Sequence, residues 1–462
     1  MRIIRVLTPK MISRSMTSAR HISARLLMRF FFLLTLFFAP SVLALDLMET
    51  YRRAQNYDAL FIAAQATLEA ERERLPQARS ALLPYLSLSG HSTLNDNRVR
   101  APDMTRDSRY NSHSYGLTLT QPIFRRENFV AYEQGQIVAL MAEARFAEAK
   151  QNLILRVAEA YLAVLDAQST LEAAQAQKEA IAQQLEQAQH YFEAGVTTII
   201  DTAEAESRYD LALAQEIAGA NELEIRREAL YVLIGDTTEE LARLRGNLPQ
   251  ILPEPATVSP WVEAAQTGNL TVQIAEYEAD IADLEIARAN AGHYPTLDLV
   301  ANVGKSRSQD NMGARPTTET GNIGLQWNMP LFSGGYVSSR AREAAANRHA
   351  TLALLDAARR HAARSARQNF LGVINGMAQI QALSAALSSS LNSVEHNKTG
   401  YEIGVRINID VLNAEQQVFT TRRDLARAKH ETLLAQLRLK NATGTLDEQD
   451  LAEINALQYQ TQ

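Results

Sequence analysis

The 462-residue chain has no cysteine. Disulfides, a thiolate metal centre and a lipid anchor on an N-terminal cysteine are therefore excluded. It also lacks a strong excess of either charge. Its 46 basic and 52 acidic residues leave a net −6, and so mild an acidity gives nucleic acid no electrostatic foothold. The spacings of common catalytic sites are missing too. Its nine histidines form no HExxH or paired-ligand pattern, no glycines fall as GxGxxG or a P-loop, and no serine sits in GxSxG. No enzymatic activity, cofactor or metal is expected. After the N-terminal region no run reads as apolar enough to cross a bilayer as a helix.

What is present starts at the N-terminus. Arg2, Arg5, Lys10, Arg14, Arg20, Arg25 and Arg29 precede the apolar run Phe30 to Ala39, and Val42-Leu43-Ala44 supplies small residues at a cleavage site. The apolar run is far short of the ~20 residues a spanning helix needs. Residues 1–44 are expected to be a signal peptide, with Met28 as an alternative start, and the exported chain begins at Leu45.

Beyond that point one plan is used twice. GVTTIIDTAEAES from Gly195 returns as GVRINIDVLNAEQQ from Gly404, with Gly, Val, Ile200/Ile409 and Asp201/Asp410 in register. A first repeat is expected over 45–248, a Pro-rich linker over 249–260, a second repeat over 261–446 and a short tail over 447–462. Each repeat runs in the same order. A helical stretch (Leu47–Leu83; Trp261–Gly292) leads to an alternating segment, a polar loop and a second alternating segment closed by proline. A very long helix, the Gly-Val turn and another helix follow.

The long helices carry a heptad signal. Leu153, Val157, Ala160, Val164, Ala167, Leu171, Ala174, Lys178, Ile181, Leu185, Ala188 and Phe192 are spaced alternately by four and three. So are Val373, Met377, Ile380, Ser384, Leu387, Leu391, Val394, Lys398 and Tyr401. This is a coiled-coil seam, extending roughly 90 Å at 1.5 Å per residue. A non-transporting periplasmic coiled-coil scaffold would have the same seam and is the alternative reading.

The alternating segments favour another architecture. Leu297, Leu299, Ala301 and Val303 oppose Asp298, Asn302 and Gly304, while Ile323, Leu325, Trp327 and Met329 oppose Gly324, Gln326 and Asn328. Leu86/Leu88 and Leu117/Leu119 repeat the pattern more weakly. An ordinary half-buried sheet alternates in the same way, but this chain is exported and offers no helix to cover the sheet. Four strands cannot close a barrel, and an open sheet leaves unsatisfied edges in lipid. Several chains must share one barrel, and three copies give about 12 strands around an aqueous lumen. The expected fold is mainly α with transmembrane β: a trimeric 12-stranded β-barrel, four strands per chain, continued by a long α-helical coiled-coil barrel.

The stretches QPIF, AQKEAI, AGHYPTLDLVANVG, MPLFSGG, GVRINIDVL and TGTLDEQDL resemble the outer membrane factor family of TolC-like exit ducts, and the resemblance runs from about Leu45 to the end. The resemblance implies a homotrimer in the cell outer membrane, a helical barrel reaching into the periplasm and a mixed equatorial region. It also implies a passive duct for drugs, toxic small molecules and type I secreted proteins. Its partners would be outer-membrane lipid, a periplasmic adaptor and an inner-membrane transporter of RND, ABC or MFS type. The Gly-Val turns become hairpin tips that dock the adaptor: Ala194, Gly195 and Val196 in one, Ile403, Gly404 and Val405 in the other. Asp410 takes the place of a selectivity-ring carboxylate. Asp201, Arg406 and Tyr401 take the places of a gate network, although in isolation Asp201 also reads as a plain helix-start residue. Two departures stand out. Asn413 replaces the second acidic residue of a D-x-x-D pair, and Ile200 stands where the gate often has a hydroxyl.

Overall fold

The computed structural model describes residues 44–244, 252–308 and 314–457. The expected signal peptide and start site, the beginning of the linker and the end of the tail lie outside the described residues.

The helical stretch expected over Leu47–Leu83 is three helices: α1 (Leu47–Tyr57), α2 (Ala59–Arg72) and α3 (Arg74–Ser80). Asp58 makes the first break. Its carboxylate accepts from the Phe61 N–H at 2.7 Å, capping α2, and takes a two-pronged contact from Arg156 at 2.7 and 2.9 Å. Asp58 is only 3% exposed. The Arg156 contact, with help from the Phe61 N–H, holds its carboxyl below the usual carboxylate range. A depressed carboxylate contributes stability above its unfolded pKa and loses it as pH falls through the folded value. Arg156→Ala leaves a buried, unpaired carboxylate and should destabilise the fold by about 3 kcal/mol at neutral pH. The loss should shrink below about pH 4, where the unfolded carboxyl is protonated. Thermal unfolding of wild type and variant at both pH values checks this.

The chain then forms β1 (Tyr85–Ala101) and β2 (Met104–Phe124), paired without interruption from Tyr85↔Thr120 to Ala101↔Met104. The polar loop expected here is therefore corrected to a continuous hairpin with a two-residue turn. From 91 to 114 both of its faces are mainly polar, so that part lacks the apolar alternation that marks a half-buried strand. Cross-strand pairs Arg98–Asp107 (2.7 Å) and Arg109–Asp96 (2.9 Å) tie it together instead.

Helix α4 (Arg126–Glu193) runs 68 residues and turns back as α5 (Ile199–Ile234). The second copy follows as α6 (Val258–Gly268), α7 (Leu270–Asn290), β3 (Thr296–Arg307) and β4 (Thr317–Asn328). It ends with the 67-residue α8 (Tyr336–Glu402), its return α9 (Asn408–Ala442) and the short α10 (Glu448–Asn455). The four strands form one antiparallel sheet in the order β1-β2-β3-β4. Arg125, just before α4, grips the buried Asp298 of β3 at 2.7 and 2.8 Å and so fixes the long helix to the base of the sheet.

The main core lies where α1, α4, α5 and the end of α9 meet, around Tyr51, Leu153, Val157, Leu230 and Leu437. A parallel bridge joins Leu45 to Leu241, and the Tyr161 hydroxyl reaches the carbonyls of Leu45 (3.1 Å) and Ala242 (2.7 Å). The tail closes over α1, with Lys150–Glu448 at 2.8 Å and Asn455 bonded to both Met48 and Asp46.

The α4 seam is mostly buried as expected, through Leu153, Val157, Val164, Ala167, Ala174, Ile181 and Ala188. The α8 seam needs correcting. Val373, Ile380, Leu387, Val394 and Tyr401 do turn inward, but Ser384, Leu391 and Lys398 are exposed, and Leu383, Ser390 and Asn397 take the places between. Spacings of three-then-four and four-then-three differ by one residue on the same helix face, and the apolar pattern alone does not separate them. A second correction concerns apolarity. Helix α8 holds a stretch apolar enough by composition to cross a bilayer, and little of it is buried. The stretch is part of one 67-residue helix paired along α9, far longer than the ~20 residues of a span.

Candidate functional site

The two reversals are built alike. Gly195 (φ 72°) and Gly404 (φ 77°) are left-handed, which only glycine adopts readily. In the first, Val196 N–H bonds Tyr191 O (2.8 Å) and Gly195 N–H bonds Phe192 O (3.0 Å). In the second, Val405 bonds Gly400 O (2.8 Å) and Gly404 bonds Tyr401 O (3.0 Å). These paired bonds close the carbonyl end of each long helix and reverse the chain in a few residues. The turns leave apolar side chains in solvent. Val196 and Val405 are 73% and 74% exposed, and Ile199, Ile200, Ile403 and Ile407 are exposed beside them.

The aspartates after the turns differ in their surroundings. Asp201 completes a capping box. It accepts from the Thr198 N–H (3.1 Å), the Thr198 hydroxyl (2.9 Å) and the Thr197 hydroxyl. The Thr197 bond is the main cause of its lowered pKa, with both Thr198 groups adding to it. The signal T-x-x-D was present in the sequence, but the contribution of Thr197 was not foreseen. Asp410 has no such box, because the N-cap of its helix is Ile407, which has no polar side chain to cap with. Its half-buried carboxylate meets the exposed Arg406 at 3.6 Å, one turn away. Asn413 is exposed three residues on, along the same face.

The structure brings together only some of the expected gate residues. Tyr401 packs its ring against Tyr191 at 6.2 Å, a partner missed from sequence. Burial raises the Tyr401 pKa, and the proximity of Tyr191 and the Asp201 charge adds to this. Arg406 pairs with Asp410 of its own chain rather than with Asp201. Its stem lies over Gly400, where an added Cβ would stand 2.7 Å from the Arg406 Cγ. Arg208 reaches Gln416 at 3.2 Å and links the two hairpins above the tips.

The sheet supplies the second element. Its registers align Leu86, Leu119, Ala301 and Ile323 in one row of one face and Leu88, Leu117 and Val303 in the next. Below them lie Leu299 with Leu325, then Leu297 with Trp327. The opposite face holds Ser87, Thr118, Asn302 and Asn322 in one row and Ser89, Gly116, Gly304 and Thr320 in the next. The apolar face ends in Trp327 on the helix side and in Tyr115 on the hairpin side, both exposed. An apolar band with an aromatic residue at each edge has the form of a lipid-facing strand surface.

A sequence model of the family "Outer membrane efflux protein" matches residues 50–236 and 261–445. The chain belongs to the outer membrane efflux protein family. Among curated proteins, it is 30% identical to the outer membrane protein TolC of Vibrio cholerae over 90% of this chain and 95% of that one. It is 34% identical to the alkaline protease secretion protein AprF of Pseudomonas aeruginosa, over 89% of this chain and 87% of that one. The same fold occurs in the open-state Neisseria gonorrhoeae MtrE outer membrane channel (TM-score 0.72, 20% identity, 88% of this chain, 91% of that). It recurs in the Campylobacter jejuni CmeC outer membrane channel (TM-score 0.75, 16% identity, 89% of each chain). As an outer membrane efflux protein, the chain is an exit duct of the outer membrane with its long helices on the periplasmic side.

Proposed function

We propose that three copies of this chain close one 12-stranded barrel, four strands from each, and that their helical hairpins continue it as a periplasmic tube. The observation that carries this reading is the sheet. It presents an apolar face edged by Tyr115 and Trp327, and within one chain β1 and β4 each pair on one side only. Open edges cannot remain in hydrocarbon, where each unpaired backbone group costs several kcal/mol. Neighbouring copies satisfy them, and the bare apolar face of α8 gains a cover in the same step.

The duct passes drugs, toxic small molecules and type I secreted proteins onward from an inner-membrane transporter and a periplasmic adaptor. Similarity to a protease secretion protein supports the protein cargo, and the efflux family supports the small molecules. The exposed valines and isoleucines of the two tips dock the adaptor. Three copies of Asp410 ring the entrance with carboxylates, followed by a ring of Asn413 amides. Asp201, Tyr401 and Arg406 restrain the tips, and Ile200 adds no hydroxyl to that restraint.

Native mass spectrometry of the detergent-extracted protein should give three times the mass of the mature chain. A monomer that still forms channels in planar bilayers would overturn the shared barrel.

A further inference from the structure

We infer that the rim of the outward sheet face, at Tyr115, Lys305 and Arg307, is a binding site for the phosphorylated headgroup of an outer-leaflet glycolipid. The inference rests on the membrane orientation proposed above, in which the hairpin end of the sheet points out of the cell.

The registers place the site. Directly beyond the last apolar row comes the row Gly90–Tyr115–Lys305–Glu319, and beyond that Ser92–His113–Arg307–Thr317, all on the same outward side. Lys305 and Arg307 thus stand one and two rows above the hydrocarbon band, at the depth where phosphates of a bilayer lie. An open depression of about 440 Å³ joins the two zones, lined by Leu88, Leu117 and Val303 below and Tyr115, Lys305 and Glu319 above. An acyl chain fits the lower part, and a saccharide with its phosphate fits the upper part, against the Tyr115 ring and the Lys305 ammonium.

Charge selects among lipids. Lys305 shares a bond with Glu319 at 2.7 Å, and its ammonium retains donors for a second acceptor. Two rows and more beyond, Arg98 and Arg109 are each neutralised by an aspartate. Arg100 and Arg307 pair with no carboxylate among the described residues. Among the described strand residues the outward rim carries Arg98, Arg100, Arg109, Lys305 and Arg307 against Asp96, Asp107 and Glu319, an excess of two positive charges. The inward face at the same height holds Ser89, His91, Ser114 and Ser306. In the two rows next to the apolar band the cations Lys305 and Arg307 are both on the side proposed to meet lipid, while Arg106 of the inward face stands farther out along the hairpin.

The test uses the whole protein purified in detergent, with a diphosphorylated acylated disaccharide lipid, its dephosphorylated form and inorganic phosphate as probes. Native mass spectrometry counts the lipid retained, and bilayer recordings on the same sample report the channel. Wild type should retain the diphosphorylated form at least tenfold more tightly than the dephosphorylated one. Lys305→Gln with Arg307→Gln should erase that preference without changing conductance, and Lys305→Arg with Arg307→Lys should keep it. Inorganic phosphate alone should compete weakly, since it leaves the apolar part of the site empty. Equal retention of both lipids by a conducting wild type, or an unchanged preference in the Gln variant, overturns this inference alone. Loss of channels and of detergent dependence in the wild type would instead overturn the membrane reading beneath it.

Discussion

Replacing Asp410 by alanine is expected to remove nearly all block of the channel by a trivalent cation applied from the periplasmic side. The Asp410 carboxylate is free for this role, unlike that of Asp201, because no capping box engages it and its one ionic partner is an exposed Arg406 at 3.6 Å. At ~6 Å in a water-like dielectric, a trivalent ion gains about 2 kcal/mol from each carboxylate. Salt near 0.15 M reduces that by about half. Three carboxylates then supply about 3 kcal/mol, or roughly two orders of magnitude in blocker affinity. Asn413→Asp adds three charges one turn along the same face and should tighten block about tenfold or more. Cation preference should follow the same order, since focused negative potential concentrates cations. If Asp410→Ala leaves block and selectivity intact, the carboxylate is a helix-start residue and the filter lies elsewhere.

The second large effect is expected at the tips. Val196→Glu or Val405→Glu should lower drug resistance to the level of a strain lacking the protein, while the protein in the outer membrane stays at wild-type abundance. Both valines are about three-quarters exposed, and the space beside Gly195 and Gly404 is empty. Substitution of so exposed a side chain changes stability by about 0.5 kcal/mol or less. The fold is therefore spared. In a docked complex the same position is dry, and an unpaired carboxylate there costs several kcal/mol. In the proposed trimer the loss is repeated around the ring. Resistance that survives both changes places the adaptor elsewhere on the helices. Val196→Ile and Val405→Ile, which keep the apolar surface, should retain export.

Much of this molecule was legible in the sequence, for reasons that can be named. The left-handed glycines at 195 and 404 follow from the need to reverse a long helix in a few residues. The apolar rows of β3 and β4 follow from alternation, since side chains two apart share a face. The polar hairpin from 91 to 114 was not legible, because a strand that is wet on both faces has no apolar period to detect. The alternate positions of the α8 seam were missed because alanine, serine and leucine surround the helix on most sides, and either spacing finds apolar residues. Tyr191 was missed because its partner Tyr401 is on the other hairpin, joined only by the fold.

The sequence by itself determined the internal repeat, the order of elements, the two turns and the apolar side of the strands. Each is a local property, set by backbone sterics or by a periodicity within one segment. Only the tertiary structure decided how the two aspartates differ. Both follow a Gly-Val turn, yet Asp201 is spent on Thr197 and Thr198 while Asp410 keeps its carboxylate for Arg406 and solvent. The tertiary structure also decided that Lys305 and Arg307 stand beside Tyr115, because strand register joins residues about 190 positions apart along the chain. Register is a sum of many cross-strand contacts, and no single segment of the sequence contains it.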